Sequence, residues 1–286
     1  MRVISTGSAA SVVTALVLCL ASCATPDAVR QFVTTARDAT SKFAPFVNDI
    51  ADSCVRRKMA DRPVTEIADP TELATAACKE DSDLAPAVLG AMNVLANYLN
   101  ALNSLASNES VSYDKQIDDF AGKLQAAAKF PAPATDAVKG LAKFLADAAG
   151  SAYQRKKLAE ALKKADSDIT ALTDTLGRIV GVEYVRDLNN EEDTLKNRYR
   201  DAMRSNQNNE AIALLLQQNW MADLATLRKR KAAAADYQKV LEKIREGHKH
   251  LVSDASRWSA AELAKELGPY TLSIRSLANS VQTAFF

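Results

Sequence analysis

The chain has 286 residues, enough for one large domain or two ordinary ones, and its 48% apolar and 25% charged residues exclude global disorder. With 9 Gly and 8 Pro it is too poor in turn residues for a sandwich or barrel, whereas 52 Ala against 17 aromatics is the composition of helices packed on helices. Lys and Arg total 36 and Asp and Glu 35, so no charge excess implies a nucleic-acid partner.

Met1-Arg2 is a short positive start, and Val12 to Leu20 (VVTALVLCL) is an apolar run of signal-peptide length. A transmembrane helix needs about 20 apolar residues, and this run is shorter. It ends in Leu20-Ala21-Ser22-Cys23, with Leu at the third place before Cys and two small residues between. The pattern resembles the lipobox of bacterial lipoproteins. That resemblance implies that residues 1–22 are a signal peptide, that Cys23 carries a diacylglycerol thioether, and that the new amino terminus is acylated after cleavage. Two or more acyl chains anchor stably where one binds marginally. Bulky Leu18 makes Cys19 a poor competitor for the same processing. Ala24 follows Cys23 in place of Asp, and by the same resemblance this implies the outer membrane, facing the periplasm. The likeness covers the targeting segment alone.

The remaining residues, 23–286, read as a single elongated all-α bundle, with shorter helices over 25–133 and long ones over 134–286. Thr25-Pro26-Asp27 is a helix start. Val29, Phe32, Ala36, Ala39, Phe43, Phe46, Ile50 and Cys54 then recur at spacings of three and four, predicting one helix kinked at Pro45. Two or three residues separate Cys23 from that helix, so the bundle is expected to lie against the membrane. Residues 61–71 form a turn-rich connector, and a short helix over Leu73–Lys79 brings Cys78 back towards the first. Once Cys19 and Cys23 are set aside, Cys54 and Cys78 remain. In an oxidising compartment the pair reads as one disulfide closing a loop of about 25 residues, worth about 3.5 kcal/mol; two buried free thiols are the alternative.

An apolar helix follows over Ala87–Leu105, with Asn93, Asn97, Asn100 and Asn103 on its rim, and an amphipathic one over Tyr113–Phe130. Leu158, Leu162, Ala165, Ile169, Leu172, Leu176 and Ile179 make a coiled-coil-like seam, and Ser205–Asn209 reads as a turn. A third long helix runs to Ser253 with Leu216, Trp220, Leu224, Leu227, Ala234, Tyr237, Leu241, Ile244, His248 and Leu251 on one stripe. A last helix over Ala260–Phe286 contains Pro269. A turn near Gln207 predicts an antiparallel hairpin with arms on the order of 65 Å, in which paired residue numbers sum to about 414. That constant pairs Leu188 with Leu227, Leu172 with Leu241, Ile169 with Ile244, Leu162 with Leu251, Gly181 with Ala233 and Gly177 with Tyr237.

Chemistry-bearing patterns are scarce. His248 and His250 project about 200° apart on a helix and cannot share a metal; the first reads as an interface residue and the second as a surface one. No hydrolase, nucleotide-binding or zinc motif is present. The acidic pairs Asp118-Asp119 and Glu191-Glu192 and the basic runs Arg56-Arg57-Lys58, Arg155-Lys156-Lys157 and Arg228–Lys231 read as solvated faces, Arg56-Arg57-Lys58 also as a contact for acidic headgroups. No catalytic, cofactor-binding or metal-binding residue is therefore assigned, and no enzymatic role is expected. The chain reads as a lipid-anchored envelope protein with a structural, scaffold or adaptor role, held to the membrane through acylated Cys23 and meeting an envelope protein partner. A binding module for an apolar or lipidic ligand, held between helices near Leu89, Leu95 and Leu99, is the alternative.

Overall fold

The computed structural model describes residues 24–63, 66, 69–107, 109–111, 130–149, 155–254 and 260–285, and among these there is no strand. Cys23, Asp118, Asp119 and all of the expected helix over Tyr113–Phe130 except Phe130 itself lie outside them. Helix α1 (Ala24–Ser41) begins with the residue after Cys23 and buries Val29, Phe32, Val33, Ala36 and Ala39. The apolar stripe continues as expected, but the helix does not. It stops at Ser41, and α2 (Ala44–Ala60) starts afresh with Pro45 in its first turn. Proline has no N–H to bond back to Ser41 and its ring crowds that carbonyl, whereas in a first turn neither defect costs anything. The expected kink is a break, and Phe43 fills it, fully buried.

Helix α3 (Pro70–Thr75) opens earlier than expected because Asp69 caps it, its carboxylate accepting from the Thr71 N–H at 2.8 Å. Helix α4 (Lys79–Ala106) is longer than the apolar run predicted, and carries Pro86 inside its early turns. Cys54 and Cys78 are joined by a disulfide, S–S 2.07 Å with Cα atoms 5.8 Å apart, so the free-thiol alternative is excluded. With Val55 and Leu73 the bridge forms a small core of its own.

Helix α5 (Ala132–Ala149) precedes the long elements. Helix α6 (Arg155–Arg178), a π-helical turn (Ile179–Tyr184) and α7 (Val185–Ser205) make one unbroken run. After the turn at 206–209, α8 (Glu210–Asp254) extends 45 residues, about 67 Å, and α9 (Ala260–Phe285) closes the chain. One continuous apolar core runs from Ala28 to Val281 and takes in every helix but α3. Helix α8 is its spine: α1, α6, the π turn, α7 and α9 all pack on it.

The long run and α8 are antiparallel neighbours, as expected, but no single pairing constant holds. His248 meets Asp166, which fits the expected sum. Nearer the turn, Lys231 meets Glu192 and Asp223 meets Tyr199, roughly two helical turns further along α8 than the constant allows. Gln238, with Leu241, stands over Gly177 and alone over Gly181, in place of Tyr237 and Ala233. The π turn, whose i→i+5 bonding lodges an extra residue in one arm and not in the other, accounts for only a small part of this offset, and Asp174 already meets Arg245 before it. Tyr237 instead packs edge-on against Phe43, ring centroids 3.9 Å apart, and beside Phe46 at 5.7 Å.

Gly247 shows how closely α1 approaches the spine, because a Cβ there would sit 2.4 Å from the buried Phe32 ring. At Gly177 a Cβ would meet only ordinary contacts, at 3.7 and 3.9 Å. Gly247→Ala is therefore expected to destabilise by about 1–3 kcal/mol, despite the better helix propensity of Ala. Gly177→Ala is expected to be neutral or to stabilise by up to about 1 kcal/mol. Urea denaturation of both variants checks this, and equal effects would refute the close approach.

Candidate interaction surface

Asp49, Ser53 and Arg56 share one face of α2 at spacings of four and three. That face meets Tyr184 of the π turn, Glu191 of α7 and Arg230 of α8, and the result is a buried ionic joint. Arg56 donates from Nη1 and Nη2 to the Asp49 carboxylate at 2.8 and 3.0 Å. It also donates from Nε and Nη2 to Glu191 at 2.6 and 3.1 Å. Ser53 Oγ donates to Glu191 at 2.7 Å, the Tyr184 hydroxyl donates to Asp49, and Arg230 stands 3.4 Å from Asp49. Two carboxylates therefore face two guanidinium groups, and the charges balance. Burial opposes the charge on Arg56, but the carboxylates of Glu191 and Asp49 together outweigh it and hold the guanidinium firmly protonated. Burial and then the neighbouring Asp49 push the Tyr184 hydroxyl far above its ordinary range, so it stays a donor.

This joint corrects the reading of three charged runs, Arg56-Arg57-Lys58, Glu191-Glu192 and Arg228–Lys231, as solvated or headgroup-facing. Arg56 turns inward, Glu191 is 1% exposed, and Glu192 pairs with Lys231. A charge on an amphipathic helix reads as solvated, and only packing of three sequence-distant helices brings these groups together. The presence of a π turn in the first arm was equally unreadable, since Gly177 and Gly181 supplied its only local hint.

Past the joint the hairpin leaves the body. Near the end of α2, Arg198 Nη1 donates to the Met59 carbonyl at 2.8 Å. Beyond that, Tyr199 lies against Trp220, centroids 5.8 Å apart, and donates to Asp223 at 2.7 Å. Burial and this donation push the Tyr199 hydroxyl up to about 12. The arms then hold each other through half-buried contacts, while Leu214, Leu215 and Met221 stand 55%, 56% and 62% exposed. From Leu227, the last fully buried residue of α8, to Glu210 the hairpin tip extends about 25 Å.

A second polar chain is buried in the body. Asp166 can only accept, so His248 Nδ1 carries the proton and bonds it at 3.1 Å, leaving Nε2 to accept from the Tyr98 hydroxyl at 2.7 Å. Tyr98 is fully buried and His248 nearly so, so neither can reach a substrate from solvent. His248 is the interface residue the stripe predicted. His250 lies towards the surface, its ring 5.3 Å from Tyr270 and its Nδ1 3.6 Å from Glu266. Among the described residues, no group of His, Cys, Asp and Glu has the geometry to hold a metal. A groove of about 580 Å³ between α1 and α9 is lined by Asp27, Arg30, Thr34, Asp38, Lys42 and Arg275, a polar set.

Two outcomes follow from these networks. Asp49→Ala leaves Arg56 and Arg230 short of a buried partner and is expected to cost about 3–5 kcal/mol, with faster hydrogen exchange in the first turns of α7; unchanged exchange there would separate the joint from the hairpin. Burial, only partly offset by Asp166, lowers the basicity of His248 below its ordinary value of about 6.5. The fold thus prefers neutral His248, and protons bind the unfolded chain better, so this contribution to stability is full above about pH 6.5 and is lost as pH falls below it. Melting temperatures from pH 8 to pH 5 should drop more steeply for the native chain than for His248→Gln, and parallel curves would contradict the assignment.

No family model, no curated protein and no solved structure matches this chain.

Proposed function

We propose that this is a lipid-anchored envelope protein that acts as a scaffold or adaptor, presenting the tip of its hairpin to another envelope component. One observation carries the reading. Phe32, Phe43 and Asp49 meet α8 at Gly247, Tyr237 and Arg230 in turn, so α1 and α2 run antiparallel to the spine. Ala24 therefore stands at one end of α8 and the turn at 206–209 at the other, on the order of 65 Å away. An acyl group on Cys23 would hold one end at the bilayer surface while the apolar tip points away from it. No described helix is long and apolar enough to cross a membrane, so attachment rests on the lipobox resemblance at Leu20–Cys23. Exposed apolar residues at the tip favour protein binding over a ligand held between helices, because Leu95 and Leu99 are packed into the core.

Cys23→Ala is expected to abolish acyl labelling and release the chain from the membrane fraction. Retained labelling in that variant refutes attachment at Cys23. In the anchored protein, a photo-crosslinking residue at Leu214 or Met221 is expected to capture one discrete partner, while the same residue at exposed Leu272 on α9 does not. Capture only from Leu272 would overturn the projecting-tip reading.

A further inference from the structure

The tip has a composition that none of the networks above uses. Residues 211–222 (AIALLLQQNWMA) hold no charged residue. At 100° per residue, Ile212, Leu214, Leu215, Leu216, Trp220 and Met221 leave no gap wider than about 100° around the helix. A helix apolar on every side is ordinarily a buried helix. Here, among the described residues, only α7 lies against it, and Ile212, Leu214, Leu215 and Met221 remain exposed. The α7 side of the tip is different in kind. Lys196, Arg200 and Arg204 recur every four residues along it, all exposed, and the guanidinium groups of Arg200 and Arg204 approach their shared neighbour Asp201 no closer than 3.8 and 3.9 Å. Within 196–205 four cationic side chains stand against that one carboxylate.

We infer that the hairpin tip is a docking site for an acidic amphipathic helix of a partner protein, which lays its apolar stripe on Leu214 and Met221 and its carboxylates beside Lys196, Arg200 and Arg204. This deepens the scaffold reading and rests on it for the partner's being in the envelope, but not for the chemistry of the site. The residue types fit: Met, aromatics and Arg are enriched in protein interfaces, and Asp and Glu are depleted. Added as a third helix, the partner converts a two-helix hairpin, which cannot cover its own apolar surface, into a small bundle. An anionic bilayer offers the same sum of apolar and negative surface, but the geometry opposes it. Tyr199 is level with Trp220, so Arg200 and Arg204 stand at the same heights along the hairpin as the exposed apolar residues. Insertion from the tip would carry these cations, and the amides of Asn206, Gln207, Asn208 and Asn209, into hydrocarbon ahead of Met221. A partner helix lying alongside the hairpin meets both sets at once, without burying the polar turn.

The test uses the mature chain carrying Cys23→Ser, so that it is independent of acylation, and Trp258→Phe, so that Trp220 is the sole indole. The probes are a synthetic Leu-heptad helix flanked by Glu, its counterpart flanked by Lys, and vesicles of phosphatidylglycerol or phosphatidylcholine. The Glu-flanked helix is expected to bind saturably, with a blue shift of Trp220 emission, and at least about tenfold more tightly than the Lys-flanked one. Arg200→Glu with Arg204→Glu should reverse that preference. Leu214→Ser with Met221→Ser should weaken the Glu-flanked helix by about tenfold or more while far-ultraviolet circular dichroism stays that of the parent. Equal binding of the two helices, binding to phosphatidylglycerol vesicles in place of the helix, or no shift with any probe each overturns the proposal. None of these outcomes bears on acylation of Cys23, which the labelling experiment decides separately.

Discussion

A helix of 45 residues cannot cover itself, and the way α8 is covered along its length organises this molecule. Between Leu227 and Leu251 it has neighbours on several sides: α1 and α9 from the two ends of the chain, α6 and the π turn from the middle. Fully buried Tyr237, Val240, Leu241 and Ile244 lie in this stretch. Gly247 is the point of closest approach, where the absence of a Cβ admits Phe32. Before Leu227, among the described residues, the cover is reduced to one neighbour, α7. The same helix is thus a core element from Leu227 onwards and a projecting arm over the residues before it.

The change of role happens at the ionic joint, and its chemistry suits that place. Buried charges contribute little to net stability when fully paired, because desolvation offsets their attraction, yet leaving one unpaired is costly. A joint built this way tolerates one arrangement and penalises others. Arg56 serves Asp49 and Glu191 together through the fixed fork of its guanidinium, and so ties α2 to α7; Arg230 and Tyr184 converge on Asp49 from α8 and the π turn. Four segments are fixed to one another where the hairpin leaves the body. The disulfide at Cys54 adds a covalent restraint from α2 to the start of α4, two residues from Arg56 in sequence. The direction of the arm is therefore set by the body.

Polar groups inside the body are handled by a second route. Tyr98, His248 and Asp166 form a chain in which each donor has an acceptor, with neutral His248 between a hydroxyl and a carboxylate. Satisfied in this way the chain fixes the relative positions of α4, α6 and α8. It also gives the fold a dependence on pH that apolar packing alone does not have. Burial and then the nearby carboxylates of Asp166 and Asp168 push the Tyr98 hydroxyl well above its ordinary range, so it stays a donor and the direction of the chain does not reverse.

Composition and periodicity by themselves determined the all-helical class, the stripes that become buried faces, the turn at 206–209 and the pairing of two long antiparallel arms. These follow from local rules, because helix propensity and a spacing of three and four act over a few residues and survive any packing arrangement. The pairing of Cys54 with Cys78 was legible as one of two alternatives, and the distance between them in the fold decided it. Tertiary structure alone decided the rest. Pro45 broke the helix where the stripe ran on, since the stripe records burial and not backbone continuity. The register changed along the hairpin, His248 meeting Asp166 but Lys231 meeting Glu192, because the side-chain pairs that form are chosen by packing and the π turn adds a residue to one arm only. Arg56 and Glu191 looked solvated, because charge on a helix face says nothing about what another helix will bring to it. The exposure of Leu214 and Met221 was hidden for the complementary reason: an apolar residue in sequence predicts burial, and only the surrounding fold shows that nothing described covers them.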